Sequence, residues 1–174
     1  MFPVNQVFRI GELRKRLLWS GTEQAIWIDI DSDTALPEPI SVAELERLLM
    51  ERELESIADP FEEIVLREVE EGSLDQQKRD EAWTMLADFV HDPQLFVRRP
   101  RGLIVRGIME RHGVTNQTVY RLLRRYWQRG MCRNALLPDY VNSGARGKRR
   151  KPNQAKLGRP RVVMEGKGSN VTPD

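Results

Sequence analysis

The sequence predicts three segments in series: an α+β N-terminal small sheet module, then an all-α helix-turn-helix domain, then an extended basic arm. Three observations carry this. Short runs of alternating, β-branched and aromatic residues fill positions 7–57, with one helical stretch among them. Apolar residues then recur at spacings of three and four from about position 75 to 129, broken at Gly113-Val114. After residue 131 large apolar groups become sparse, and glycine, proline and cations accumulate; such a stretch cannot bury enough surface to fold alone. The expected boundaries are 1–58 for the sheet module, 59–73 for an acidic linker, 74–130 for the three-helix domain and 131–174 for the arm.

Within the first segment, Val7–Ile10 alternates, Leu13–Trp19 suits a strand, and Ser20–Gln24 suits a turn. Ala25–Ile30 has strand composition. Asp31–Thr34 and the prolines Pro37 and Pro39 predict a loop. Ser41 with Glu44 three residues on reads as a capping box opening a helix that buries Val42, Leu45, Leu48 and Leu49. A last short strand is expected near Leu54–Ile57. Asp59-Pro60 then breaks the chain. Asp75–Val90 is the first helix of the second segment, with Ala82, Trp83, Leu86, Phe89 and Val90 on one face. Arg101–His112 is the second, with Leu103, Ile104, Ile108 and Met109 inward, and Asn116–Arg129 the third, ended by Gly130.

Bulk composition narrows the function classes. The chain has 174 residues, 40% of them hydrophobic, and no run approaches the ~18–20 apolar residues of a membrane span. Its N-terminus lacks a basic region followed by a long apolar stretch, so a cytoplasmic protein is the plain expectation. Cys132 is the single cysteine, which excludes an intramolecular disulfide, and one Cys with two His cannot build a zinc finger. The net charge of +2 hides a division. Residues 1–97 hold 9 Lys+Arg against 22 Asp+Glu, a net of −13; residues 98–174 hold 19 against 4, a net of +15. A segment so basic has an obvious polyanionic partner in duplex DNA.

The sharpest pattern runs from Gly113 to Tyr126. Gly113 permits a tight turn, Val114 plugs the seam between two helices, and Thr115 suits an N-cap. Val119, Leu122, Leu123 and Tyr126 form a core face, leaving Gln117, Thr118, Arg121, Arg124, Arg125 and Gln128 opposite. The N-terminal residues of the second helix of such a unit reach base edges in the major groove, where Arg pairs with guanine and Asn or Gln with adenine. Asn116, Gln117, Thr118 and Arg121 are therefore the candidates for base reading. Arg124, Arg125 and Arg129 suit phosphates, and Thr115, Tyr120 and Arg133 complete the candidate surface of this unit. The plain alternative is a bundle with a solvated charged face. Against it, no acid occurs from Arg111 to Met131, whereas a helix optimised for stability interleaves Glu.

The arm carries Arg146, Lys148, Arg149, Arg150 and Lys151, then Lys156-Leu157-Gly158-Arg159-Pro160-Arg161. The latter resembles an AT-hook core, in which Gly-Arg-Pro lies in a narrow minor groove, although Leu157 stands where a leading Arg is usual. A solubilising tail is the bland reading. Beside a helix-turn-helix, minor-groove tracking by Arg146, Lys148, Arg149, Arg150, Lys151, Lys156, Arg159 and Arg161 is the better one. Lesser features read plainly. Asp29, Asp31 and Asp33 suit a solvated acidic turn better than a metal loop. Trp19, Trp27 and Trp83 suit the core, and Cys132 has no partners for nucleophilic chemistry.

Val119-Tyr120-Arg121-Leu122-Leu123-Arg124-Arg125-Tyr126-Trp127-Gln128-Arg129-Gly130 resembles the TnsB transposases of TnsABC-type transposons. So do Asn134-Ala135-Leu136-Leu137-Pro138-Asp139-Tyr140, Asn142-Ser143-Gly144, the Lys156–Arg159 box, and Gly166-Lys167-Gly168 leading to Val171-Thr172-Pro173. The resemblance implies the end-recognition region of a DDE-type transposase that binds repeated sites in double-stranded transposon ends and joins 3′ ends to target DNA using Mg²⁺. It also implies other transposase protomers, a TnsA-like endonuclease and a TnsC-like ATPase as partners, and some members work with CRISPR-guided target selection. The family's Asp-Asp-Glu triad lies in a later domain, and no carboxylates here fit that role. The sequence thus reads as a fragment that binds, with no catalytic residues, no metal site and no cofactor of its own. At −13, residues 1–97 suit phosphate poorly unless Arg9, Arg14, Lys15 and Arg16 form a local patch. A stand-alone helix-turn-helix transcription regulator is the alternative. An RNA binder would expose aromatics for stacking, and the arm has only Tyr140.

Overall fold

The computed structural model of the chain describes residues 2–139. Five strands form one antiparallel sheet: β1 (Val7–Ile10), β2 (Leu13–Ser20), β3 (Gln24–Asp29), β4 (Glu38–Ser41) and β5 (Leu54–Ile57), in the order β4-β3-β2-β1-β5. β1 and β2 are in register from Val7 opposite Arg16 to Ile10 opposite Leu13, and β5 returns antiparallel beside β1. Helix α1 (Val42–Met50) fills the connection between β4 and β5. The loop expected around Pro37 and Pro39 thus contains a strand. Pro39 is tolerated because β4 lies at the sheet edge, where a missing N–H need not break a ladder.

Ser41 caps α1 as expected, its hydroxyl accepting from the Glu44 amide at 3.1 Å. The reciprocal half of the capping box is not made, since Glu44 accepts two hydrogen bonds from the Arg47 guanidinium instead. The inner face of α1 places Val42, Leu45 and Leu48 against Phe8, Leu17, Ala25, Trp27 and Leu54.

The opposite face of the sheet is covered by helices. A register shift between Leu17 and Trp19 lets β2 bury three successive residues, Arg16, Leu17 and Leu18. Leu17 joins the α1 side, whereas Leu18 and Ile28 join a second core with Leu86, Leu95, Val105, Ile108, Val119, Leu123 and Trp127. Sheet and helices therefore share hydrophobic interior, and residues up to Pro138 form one compact unit. The bulge also turns Trp19 outward. It is 42% exposed rather than core, and its ring lies over Gly21, where a Cβ would sit 2.5 Å from a ring carbon.

The helical part comprises α2 (Glu62–Leu66), α3 (Leu74–Leu86), α4 (Arg98–His112) and α5 (Asn116–Gln128), with 3-10 turns at Pro93–Phe96 and Arg133–Leu136. α2 falls inside the stretch expected as linker. α3 stops four residues before the expected Val90, in a tight turn that still buries Val90. α4 begins earlier than expected, because Pro100 fits the first turn, where an amide would go unpaired anyway. Within α4, Val105 and Ile108 face inward but Leu103 is 70% exposed, contrary to the expected face. Arg101 is buried, donating through Nη1 to the Leu95 and Phe96 carbonyls, and so clamps the preceding 3-10 turn to the helix.

Residues 131–138, expected to open the arm, are packed into the unit. Ala135, Leu136 and Leu137 are buried, and Leu136 shares the core that holds Trp127. The cause is a polar anchor: Asn134 Nδ2 donates to the carbonyls of Val65 and Arg67 at the end of α2.

Candidate nucleic-acid interface

α4 and α5 meet at a three-residue turn built as the sequence expects. Gly113 sits in the left-handed region at φ 63°, which glycine adopts without Cβ strain, and its amide donates to the Met109 carbonyl. Val114 is half-buried against the core. Thr115 Oγ1 accepts from the Thr118 amide at 3.3 Å, capping α5. Val119, Leu122, Leu123, Tyr126 and Trp127 of α5 are buried. The Tyr126 ring packs at a tilt against Trp83, centroids 6.2 Å apart, and burial pushes its phenol up to about 12, with a smaller contribution from Cys132.

The candidate residues divide by what holds them. Asn116, Gln117 and Arg121 are exposed at the start of α5. Thr118 is half-buried, its hydroxyl 3.0 Å from that of Thr115, and Tyr120 packs partly on the core. Arg124 and Arg125 are half-buried. Arg129 turns inward: its guanidinium lies 5.8 Å from the Phe61 ring centroid, and Nη1 donates to the Leu137 carbonyl at 3.4 Å. Arg133 binds Asp80, which Arg79 also holds; hydrogen bonding from Arg79 keeps the Asp80 carboxyl below the usual range despite some desolvation, with Arg133 adding to it. Gln128, expected on the outer face, is a structural tie. Its Nε2 donates to the carbonyls of Asp29 (2.9 Å) and Ser32 (2.8 Å). Arg146, Lys148, Arg149, Arg150, Lys151, Lys156, Arg159 and Arg161 lie outside the described residues.

The rest of the junction fixes α5 to the sheet. Arg16 is fully buried, with Nε donating to the Gln128 carbonyl at 3.0 Å, Nη1 to the Asn5 carbonyl, and both Nη atoms to Asp59. Desolvation pushes the Asp59 carboxyl up, but hydrogen bonds from Arg16 and the Phe61 amide outweigh it and hold it below the usual range. Gly130, at φ 103°, closes this junction, since a Cβ there would approach Val65 Cγ2 to 3.0 Å.

Charge pairing gives the site its polarity. Arg9 pairs with Glu55, Arg14 with Asp31, Arg16 with Asp59, and Lys15 with Glu38 while lying 4.6 Å from the Trp27 ring centroid. The local patch that those four residues would need is therefore neutralised. Arg47 is held by Glu44 and Glu51; among the described cations up to residue 60, Arg52 alone has no acidic partner. In the helical part Arg98, Arg99, Arg106, Arg121 and Arg124 make no ion pair or hydrogen bond within the described residues. Three of these, Arg98, Arg99 and Arg106, escaped the sequence reasoning, although the run Arg98-Arg99-Pro100-Arg101 without an acid was visible. No group of three or more His, Cys, Asp or Glu among the described residues could hold a metal ion, and none of the helices described is long and apolar enough to cross a membrane.

Two family models match the chain. The TnsB N-terminal SH3-like domain matches residues 1–60, the sheet with α1, and the TnsB second domain matches residues 79–140, from within α3 past the Arg133–Leu136 turn. The transposon Tn7 transposition protein TnsB of Escherichia coli is 37% identical over the whole chain. The chain spans about a quarter of the length of that curated relative. A five-stranded antiparallel sheet followed by a helical domain agrees with both matches, and the chain belongs to the TnsB family, carrying its N-terminal SH3-like and second domains.

Proposed function

We propose that this chain binds double-stranded DNA at transposon-end repeats, with α5 in the major groove and the basic residues 146–161 in an adjoining minor groove. The observation that carries the reading is the outer side of α5. Asn116, Gln117 and Arg121 stand exposed at its first turns with no competing acid, while the cations Arg9, Arg14, Lys15 and Arg16 of the sheet are neutralised by acidic neighbours. Groups left unpaired by the protein retain their full capacity for base edges and phosphates. Asn116 and Gln117 offer paired donors and acceptors to adenine, Arg121 offers a fork to guanine, and Arg124 suits a flanking phosphate.

The TnsB relative is a transposition protein. By extension, we read this chain as the end-recognition part of a transposase working with further protomers and with TnsA-like and TnsC-like partners, in a bacterial nucleoid and with or without CRISPR guidance. The described residues do not fit a Mg²⁺ site. No chemical step is assigned to them, and the proposed role is binding.

The test is a fluorescence-anisotropy titration at ~150 mM salt, comparing a terminal-repeat duplex with a scrambled duplex of equal length. A preference of ~10³ or more supports specific recognition. Equal and steeply salt-dependent binding of both duplexes refutes base reading by α5.

A further inference from the structure

Helix α4 carries features on its outer face that the fold does not explain. Arg98, Arg99 and Arg106 are exposed and have no partner among the described residues. The first turn of α4 contains no acid and no capping side chain, although the helix dipole favours acids there. Leu103 is 70% exposed. Gly102 and Gly107 are exposed in the helix interior, where glycine is disfavoured, and a Cβ at either would meet nothing within 4 Å. Neither packing nor backbone geometry inside the unit requires these glycines.

Helical spacing places Arg99, Leu103 and Arg106 on one stripe, with Gly102 and Gly107 beside it. We infer that this face of α4 is a second duplex contact that takes the sugar-phosphate backbone of DNA. The unpaired arginines offer the charge complementary to phosphates. The glycines let a strand approach the helix more closely than side chains would permit, and Leu103 covers the apolar side of a deoxyribose. Glu110, exposed near the end of the helix, limits the contact because a carboxylate repels phosphate. α4 runs into the turn that presents Asn116 and Gln117, so a duplex engaged by α5 lies within reach of its neighbour. The inference rests on the reading of α5 as duplex-binding.

Three variants of the chain, titrated with terminal-repeat and scrambled duplexes across a salt series, test it. Gly102→Ala/Gly107→Ala should raise the unfolding midpoint, by about 2–4 °C per glycine, yet weaken both duplexes about equally, by roughly tenfold. Arg99→Ala/Arg106→Ala should flatten the slope of log affinity against log salt by about 1.8. Arg121→Ala should change preference between duplexes, leaving the α4 contact in place. Alanines that raise the midpoint and leave affinity unchanged overturn the inference, as does an unchanged slope. If the alanines lower the midpoint, the arginine pair decides alone. Loss of preference in Arg121→Ala with α4 variants binding like wild type sinks the α4 contact and spares the α5 reading; no duplex binding by wild type sinks both.

Discussion

Replacing Asp59 with Ala should destabilise the whole unit through a buried ion pair that involves none of the candidate DNA-contacting residues. Arg16 is 0% exposed, and among the described residues Asp59 supplies its only acidic partner, through two hydrogen bonds at 2.8 and 2.5 Å. Removing one member of a buried pair typically costs about 3–5 kcal/mol because a charge is left unbalanced. Here the Asp59 side chain is 27% exposed, and Arg16 keeps the Gln128 and Asn5 carbonyls, so about 2–3 kcal/mol is expected. For a chain of this size that corresponds to a drop of about 4–12 °C in Tm. The assay is thermal unfolding at pH 7, followed in parallel by far-ultraviolet circular dichroism and by tryptophan fluorescence. Because Arg16 joins β2 to the end of α5, both signals should move together. The double variant Arg16→Met/Asp59→Ala should recover part of the loss, since no buried charge remains. The sign with pH follows from the lowered Asp59 carboxyl. Its stabilisation is present above the unfolded value near ~3.9 and is lost as pH falls through the lower folded value, so the gap to wild type closes in acid. A Tm change under about 2 °C, or a double variant less stable than Asp59→Ala, would refute the reasoning.

Thr115→Ala removes the hydroxyl that caps α5 and should cost about 1 kcal/mol in denaturant unfolding; no change would mean that the cap hydrogen bond is unimportant. Tyr126→Phe removes a phenol held neutral by burial. Wild type should carry a stability term, relative to this variant, that is constant below about pH 10 and fades towards about 12, whereas parallel pH curves would contradict it. Trp127→Ala deletes the largest fully buried side chain and should cost about 3–5 kcal/mol, read from the urea midpoint. Replacing Arg149 and Arg150 with Ala should weaken all duplexes alike and flatten the salt slope, whereas Arg121→Ala should relax preference; equal effects from both would end that division of labour.

The strands β1, β2, β3 and β5 and the turn Gly113–Thr115 were legible because they rest on local signals: alternation, β-branched residues, a left-handed glycine and a capping hydroxyl. What escaped depends on contacts distant in sequence. β4 forms against β3 despite Pro39 because it is an edge. The Arg133–Leu136 turn is folded because Asn134 reaches carbonyls almost 70 residues earlier, which no window of composition can show. Gln128 points at the sheet because α5 packs on it, and a helical wheel drawn for an isolated bundle assigns that side to solvent.

The surroundings of the candidate site were legible only in part, and the reason lies in pairing rather than in charge. Reading −13 against +15 along the chain treats every cation as equivalent. In the folded unit Arg9, Arg14, Lys15 and Arg16 are consumed by Glu55, Asp31, Glu38 and Asp59, and Arg133 by Asp80. Arg129 is drawn onto Phe61. Acids close in space but distant in sequence subtract from the basic surface, and they do so unevenly. What remains unpaired on the helices, at Arg98, Arg99, Arg106, Arg121 and Arg124, is a smaller set than composition suggests, and it is confined to the two helices flanking Gly113. An ion pair at a surface contributes little to stability, yet it removes a guanidinium from competition for phosphate. On the proposed reading, acidic residues in the sheet half therefore matter beyond stability: by occupying nearby cations, they leave the two helices flanking Gly113 as the part of the described chain where a polyanion would gain most by docking.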